Sequence, residues 1–467
     1  MKKQLPLFLF LLLTLFCLEP LAAQNAINSE FKSSTIEQLS QLLNEHYVFP
    51  EVAEKTGAHL RKQLKAGAFD KITDMPTFAD ALTKEVQSVN HDKHMRVRPA
   101  PGQRVADDAL PEKMLENQLL RLARQQTDMA GFREAKRLDG NIGYLDLRGF
   151  AGRLRGAPVA DRYMGLLAGS DAIIIDLRKN GGGDPAMVQY LCSYFFGEKT
   201  HLNSLYWREG DRTEDFWTLA EVGGQKMADV PVFILTSNFT FSAAEEFCYN
   251  MQTRKRAILV GETTGGGANP GGTFPINADL GVFIPTGRAI NPVTQTNWEG
   301  TGVVPEVKTT AEEALTKAIE LATEAATARR ENVAQAQKIL VGNLTDQLGA
   351  FKPGASEEPL FEQLKSCCAT GLLDEMGING MGYAYLMEFK KPETAEAIFK
   401  CNTRLFPESA NVYDSYAETL LTNGKKAEAL ANYKKAVSVA ETNGDPNTDM
   451  FRANLKAAEE RAEVKRP

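Results

Sequence analysis

The sequence predicts an α/β protein with a helical region before its central sheet and a second helical region after it. Apolar residues recur at helical spacing near the N-terminus, and short apolar runs alternate with helical segments between about residues 140 and 325. The tail has a helical pattern with a period close to 34 residues. Because the chain has 467 residues, we expect two or three domains.

Residues 1–23 have the pattern of a secretory signal peptide. Two lysines follow the initial methionine, residues 5–18 are largely apolar, and Leu21-Ala22-Ala23 precedes a predicted cut at Gln24. The apolar run is short for a membrane span and has no basic flank after it, so we expect no span once the signal is removed. We predict an exported protein, in the periplasm or cell envelope of a Gram-negative-type bacterium, or secreted.

Composition narrows the possible partners. The net charge is −7, and loss of residues 1–23, with two lysines and one glutamate, makes it −8. This surface repels phosphate backbones, so no nucleic-acid partner is expected. No cysteine pair has metal-ligand spacing, so no metal or cofactor is predicted. Free thiols are favoured over one disulfide for the cysteines of the mature chain, which are Cys192, Cys248, Cys367, Cys368 and Cys401.

Residues 24–97 are predicted to form a small helical bundle. Ser34-Thr35-Ile36-Glu37 matches a capping box, which predicts that a helix starts there. A second apolar stripe runs from Phe78 to Val89, and Asp74 and Pro76 mark its start.

Residues 98–326 are predicted to form an α/β core. Apolar helical segments at 186–196 and 243–251 alternate with short apolar runs that are typical of buried strands. These runs begin at Ile142, Ala172, Val232 and Ala257. An Ala-rich helix over residues 311–325 is expected to close the core.

A helical linker over residues 327–352 is predicted to precede tetratricopeptide-like repeats over 353–467. Tyr383-Ala384 recurs as Tyr416-Ala417, close to the 34-residue period of such repeats. Two unrelated amphipathic hairpins remain the alternative. The concave face of such repeats could bind a protein partner.

Two strand-to-helix junctions carry candidate chemistry. In the first, Gly181 and Gly182 follow a buried strand, and exposed amides there would stabilise an anion, although an ordinary tight turn fits equally well. In the second, Ser242 enters a helix at its positive dipole end, and the amide of Ala243 could join a glycine amide to hold an oxyanion. Ser242-x-x-Glu245 is also a capping box that needs no catalysis.

A serine hydroxyl needs a base. The chain has five histidines, of which His91 and His94 lie at the junction of the helical region and the core. The alternative for this pair is a solvated surface turn. The residues alone therefore give candidates without assembling a site.

Five segments, in order, resemble one known family. They are Asp176-Leu-Arg-Lys-Asn-Gly-Gly-Gly, Thr236-Ser-Asn-Phe-Thr-Phe-Ser-Ala-Ala-Glu-Glu-Phe, and residues 260–271, 285–292 and 297–305. This pattern is similar to that of the tail-specific or carboxyl-terminal-processing serine peptidases, the tricorn core protease and the interphotoreceptor retinoid-binding protein. The resemblance covers roughly His46 to Ala325. It implies a ClpP/crotonase-like core and a serine peptidase acting on peptides or proteins.

The resemblance also implies roles for individual residues. Ser242 matches the nucleophile, and the lysine of the processing peptidases has no counterpart in the loop 265–272, so a Ser–Lys dyad is not expected. The tricorn-like arrangement fits better, with His94 as base and Glu299 as the supporting carboxylate. Gly181 or Gly182 with Ala243 would form the oxyanion hole.

The sequence departs from the family pattern in two residues and one domain. Lys93 stands where tricorn has a serine, and Asn269 stands where many bacterial relatives have a histidine. The interval 98–140 is too short for a PDZ domain. The alternative function is a non-catalytic module of the retinoid-binding type that holds an apolar ligand, with the repeats as a protein-interaction scaffold.

Overall fold

The computed structural model describes residues 27–100, 115, 118–120, 122–123 and 127–463. The chain divides into two compact units, Met1–Thr327 and Ala328–Pro467. The predicted signal peptide and its cut site lie outside the described residues.

The first unit contains all the strands of the described residues. In chain order they are β1 (Val97–Pro99), β2 (Phe132–Leu138), β3 (Ile142–Leu147), β4 (Ala172–Asp176), β5 (His201–Trp207), β6 (Arg212–Trp217), β7 (Val232–Thr236), β8 (Ala257–Gly261), β9 (Gly271–Pro275), β10 (Leu280–Pro285), β11 (Gly287–Ile290) and β12 (Val307–Lys308). Its helices are α1 (Ser29–His46), α2 (Pro50–Lys65), α3 (Met75–Asn90), α4 (Arg153–Leu167), α5 (Pro185–Ser193) and α6 (Ala243–Thr253). A short 3-10 helix spans Met129–Gly131.

A six-stranded sheet forms the centre of this unit, in the order β12-β8-β7-β4-β3-β2. Its neighbours pair in parallel except for β2, which runs antiparallel to β3. The four predicted strands are β3, β4, β7 and β8, so the α/β class is confirmed. Because β4 and β7 are parallel neighbours, the glycine-rich turn after β4 and the Ser242 junction after β7 lie at the same edge of the sheet.

Two smaller antiparallel sheets complete the unit, β1-β10-β9 and β11-β5-β6. The N-terminal helices share one apolar core with the first of them. Leu39 of α1 and Leu82 of α3 belong to the same buried cluster as Leu280, Val282 and Ile284 of β10. The helical bundle is therefore completed by strands from much later in the chain.

Local capping explains where the N-terminal helices begin. The Asp74 side chain accepts the amide of Thr77, so α3 begins as predicted. The start predicted at Ser34 is wrong, because the side chain of Asn28 accepts the amide of Phe31 and α1 begins at Ser29. Thr35 and Ile36 are instead buried in the middle of that helix.

The Ala-rich helix α7 (Ala314–Ala350) is longer than predicted. Ala314, Ala318, Ala322 and Ala326 are buried at four-residue spacing against the central sheet. The helix predicted over 311–325 and the helical linker predicted over 327–352 form one continuous helix, and no proline interrupts it before Pro353. The boundary between the two units falls within α7.

The second unit is helical throughout its described residues. After α7 it contains α8 (Glu358–Ala369), α9 (Glu375–Tyr383), a π-helical turn (Ala384–Glu388), α10 (Pro392–Leu405), α11 (Ala410–Thr422), α12 (Lys426–Asn443) and α13 (Thr448–Glu463). Phe399 and Tyr416 share a buried cluster there. The helical tail is confirmed, whereas its tetratricopeptide-like character stays a prediction.

No helix in the described part of the chain combines the length and apolar character that a membrane crossing requires. Cys192, Cys248, Cys367, Cys368 and Cys401 are all free thiols.

We expect Phe78→Ala to lower the free energy of unfolding of the first unit by about 3–5 kcal/mol, because it removes a fully buried ring that packs against Phe69. Tryptophan fluorescence during urea unfolding measures this, since all three tryptophans belong to that unit. The control Leu166→Ala removes a side chain that is 64% exposed and should change little. Equal midpoints for the two variants would contradict the expectation.

Candidate active site

Ser242 occupies the position just before the first turn of α6. Its backbone has φ 57° and ψ −125°, a region that residues with a side chain rarely adopt. Such a conformation costs on the order of 1–3 kcal/mol and persists only where the surroundings impose it. The sharp turn from β7 into α6 therefore has to be held in place by other contacts.

The Glu245 carboxylate supplies much of that restraint. One oxygen accepts the Ser242 amide at 2.9 Å and the Gly267 amide at 2.8 Å. The other accepts the Gly266 amide at 2.7 Å and the hydroxyl of Thr264. Burial raises the pKa of Glu245, and these donors oppose that rise. Glu245 thus does more than cap the helix, because it also fixes the glycine-rich loop that follows β8.

The glycine-rich turn after β4 lies against Ser242. A methyl group on Gly182 would be 2.8 Å from Ser242 Cβ and 3.0 Å from the Ala243 nitrogen, so only glycine fits there. The Gly182 amide already donates to Asn180 Oδ1 at 2.9 Å. Within the described residues, no acceptor is found for the amides of Gly181 and Ala243. Of the two predicted glycine donors, Gly181 is therefore the one that is available.

His94 shares a pocket with these groups. Ser242, Ala243, Gly181 and the His94 ring all line one pocket of about 540 Å³. The ring packs on Phe241 with centroids 4.5 Å apart, and its side chain is 12% exposed. Burial, with a smaller contribution from the positive charge of Arg96, lowers the pKa of His94 to about 4. The imidazole is therefore neutral at pH 7 and able to accept a proton.

Two carboxylates flank the His94 ring. Asp92 Oδ1 accepts the His94 amide at 3.0 Å and is 3.8 Å from the ring nitrogen Nδ1. One donor atom from each of Asp92, His94 and Glu299 lies within 4.8 Å of the other two. His94 Nδ1 and Glu299 Oε1 are buried, and neither has a hydrogen-bond partner in the described structure. The three side chains could also share a cation.

The two carboxyl groups influence each other's ionisation. Burial raises the pKa of both, and the negative charge of Asp92 raises the pKa of Glu299 still further. Asp92 receives hydrogen bonds from Asn269 and Tyr47, which oppose its rise. Asp92 therefore ionises first, and at neutral pH a proton remains on Glu299.

The two residues that depart from the family pattern have defined contacts. Lys93 Nζ donates to the carbonyl of Gly265 at 2.6 Å and so fastens the His94 segment to the glycine-rich loop. Asn269 Nδ2 donates to Asp92 Oδ2 at 2.9 Å. Two backbone amides of the glycine-rich loop, those of Ala268 at 2.6 Å and Asn269 at 3.2 Å, donate to Glu299 Oε2.

Sequence reasoning missed Asp92 and the loop contacts of Glu245. Asp92 was visible only as a neighbour of His94, and its burial depends on Tyr47 and Asn269, which are distant in sequence. The Glu245 side chain was assigned to capping alone. The sequence did contain a signal for the loop contacts of Glu245. The consecutive glycines after β8 carry backbone amides, and each of these amides needs a hydrogen-bond acceptor.

Two family models match the chain. One described as peptidase family S41 matches residues 141–309, and one described as the N-terminal domain of Peptidase_S41 in eukaryotic IRBP matches residues 26–134. Together they cover more than half of the chain. The matched residues include Ser242, His94 and Glu299, and also the loop that donates to Glu299. The chain belongs to peptidase family S41.

Solved structures of peptidases are among the similar proteins. A candidate peptidase from Parabacteroides merdae is 20% identical, with 62% of this chain and 96% of that one covered and a TM-score of 0.46. The photosystem II D1 C-terminal processing protease is 15% identical over 61% and 94% of the two chains, with a TM-score of 0.38. The tricorn protease is 12% identical over 64% and 37%, with a TM-score of 0.41.

We expect the His94 imidazole to titrate at about pH 4 in the folded protein, because burial disfavours its charged form. Its unfolded value is about 6.5, so the folded state binds fewer protons between these two values and stability falls as the pH is lowered through that window. Proton NMR measures the titration, and the resonance is assigned by its loss in His94→Asn. A midpoint near 6.5 would show that the ring is solvated.

Proposed function

We propose that this protein is an exported serine peptidase that cleaves peptide bonds through an acyl-enzyme. In this proposal Ser242 is the nucleophile, His94 is its base and Glu299 supports the site. The observation that carries it is the convergence of Ser242, His94 and two unpaired amides on one pocket in a chain of a peptidase family.

His94 takes the Ser242 proton as the hydroxyl oxygen attacks the substrate carbonyl carbon. The neutral ring can accept this proton, and the imidazolium that forms is stabilised by the ionised Asp92 carboxylate, whose Oδ1 is 3.8 Å from Nδ1. The same proton then passes to the leaving amine. Water hydrolyses the acyl-enzyme, with His94 again acting as base.

The oxyanion is held by backbone donors. The Ala243 amide lies at the N-terminus of α6, where the helix dipole favours negative charge. Gly181 supplies the second amide from the turn after β4. Loss of such a donor typically costs about 3–4 kcal/mol of transition-state stabilisation.

Asp92 and Glu299 act as a pair of positioning residues in this scheme. Asp92 is nearer to the ring nitrogen and also holds the His94 backbone, so it shares the supporting role that the resemblance gave to Glu299 alone. Asn269 orients Asp92. The proposed catalytic group thus consists of Ser242, His94, Asp92 and Glu299.

Export and the role of the tail belong to the same proposal. The signal-like pattern of residues 1–23 supports export to a periplasm or cell envelope. The helical second unit would bind a protein partner or part of the substrate. The retinoid-binding alternative is less well supported, because carboxylates line the pocket beside Ser242.

We expect Ser242→Ala to lower kcat for peptide cleavage on the order of 10⁶-fold and to abolish labelling by a fluorophosphonate, because the attacking oxygen is lost. The fold should survive, as tested by thermal unfolding. The matched control is Ser88→Ala, which removes an exposed hydroxyl on α3. Cleavage by Ser242→Ala at the rate of the control would remove Ser242 from the mechanism.

We expect Asp92→Asn to lower kcat by on the order of 10²–10⁴-fold with a smaller effect on KM, because the imidazolium loses its nearest negative charge. Glu299→Gln should lower kcat less, since that carboxyl already holds a proton at neutral pH. The kcat pH profiles of both variants test this order, with Asp139→Asn as an exposed control. Wild-type kcat in Asp92→Asn would return the supporting role to Glu299 alone.

A further inference from the structure

The pocket beside Ser242 has an apolar wall and an acidic interior. It contains three carboxylate residues, Asp184, Glu214 and Glu246, and no lysine or arginine lines it. Its large apolar residues are Leu205, Trp207, Phe216, Phe241, Phe283 and Trp298. An elongated side chain with a positive end matches this combination better than a purely apolar one does.

Two of the three carboxylates already have partners. Asp184 accepts the amides of Ala186 at 2.9 Å and Arg153 at 3.0 Å. Glu214 is half exposed and lies 3.7 Å from the Arg212 guanidinium. Their charges are therefore largely satisfied without a ligand.

Glu246 differs from both. It lies in the first turn of α6, three residues after Ala243, and is only 4% exposed. Within the described residues, no lysine, arginine or histidine forms an ion pair with it. A buried carboxylate without a cation is unfavourable, because it loses its hydration and gains no opposite charge.

The groups around Glu246 explain its ionisation. Burial is the main cause that raises the pKa of Glu246, the side-chain amides of Asn203 and Asn250 oppose the rise, and the negative charge of Asp184 adds to it, so that the pKa is about 7. The buried Cys192 thiol also faces it, and Glu214 and His94 line the same pocket.

Resting on the proposed peptidase activity, we propose that this pocket receives a lysine or arginine side chain of the residue next to the scissile bond, and that Glu246 pairs with its charge. The apolar wall covers the methylene stem, as it does wherever long basic side chains lie along apolar surface. Because Ser242 and Ala243 line the same pocket, the substrate residue held here adjoins the attacked carbonyl. Glu246 is thus a specificity residue, separate from the groups that perform the chemistry.

The first experiment digests a proteome-derived peptide library with the full-length protein and identifies the cleaved bonds by mass spectrometry. A well-cleaved peptide is then made in two forms that differ only in lysine or norleucine at the position that fills the pocket. Norleucine keeps the stem and lacks the charge. We expect kcat/KM to favour lysine by on the order of 30-fold, and Glu246→Gln to reduce that ratio to near one.

The control variant is Glu221→Gln, which neutralises an exposed acid away from the pocket and should keep the wild-type ratio. The wild-type ratio should also rise as the pH increases through about 7, since Glu246 gains its charge there. His94 and Ser242 act on both peptides alike, so their titration cancels in the ratio. The pH dependence of the ratio needs no variant, so it tests the role of Glu246 even if Glu246→Gln does not fold.

The outcomes separate the two proposals. Cleavage without preference for a basic residue, or a ratio that is unchanged by Glu246→Gln and flat with pH, would overturn the role of Glu246 and leave the peptidase assignment intact. Library digestion by wild-type protein no greater than by Ser242→Ala would overturn both.

Discussion

The site depends on one buried carboxylate, that of Glu245. Its two oxygens join the Ser242 backbone to Gly266 and Gly267, so the strained turn and the glycine-rich loop hold each other. The next residues of that loop bind the Glu299 carboxylate and, through the Asn269 side chain, Asp92. A continuous series of polar contacts therefore links the serine to the groups around the histidine ring, and loss of any buried member costs about 1–3 kcal/mol per unpaired group.

Local patterns predicted much of the fold. The strands β3, β4, β7 and β8 are short apolar runs, and the burial of β3, β4 and β7 on both faces follows from their composition. Asp74 caps α3 as its position indicates. The start of α1 could not be decided locally, because Asn28 and Ser34 both satisfy the rules for a cap. The packing of α1 and α3 on β10 could not be predicted either, since it joins segments about 200 residues apart in sequence.

The candidate site was predictable only in part, and mainly through resemblance. Motif order pointed to Ser242 and His94, but the residues alone did not show that β4 and β7 would bring their loops together. Asp92 and Glu246 were not predicted as site residues, because what distinguishes them is a pKa raised by burial. Burial is a property of the folded chain. The sequence shows an acidic residue at each of these positions, but it cannot show whether a positively charged side chain lies beside that residue in the fold.

The dependence of the N-terminal helices on β10 has a consequence for biosynthesis. His94 and Asp92 follow α3 directly, and the apolar core that α3 shares with α1 and α2 is complete only when Leu280, Val282 and Ile284 of β10 have been made and folded. A chain that ends between Ser242 and β10 already contains the serine, but it lacks the strand that completes the core beside the His94 segment. On the proposed chemistry, the base and the nucleophile therefore come together only late in synthesis, once the strand that completes the N-terminal core is in place.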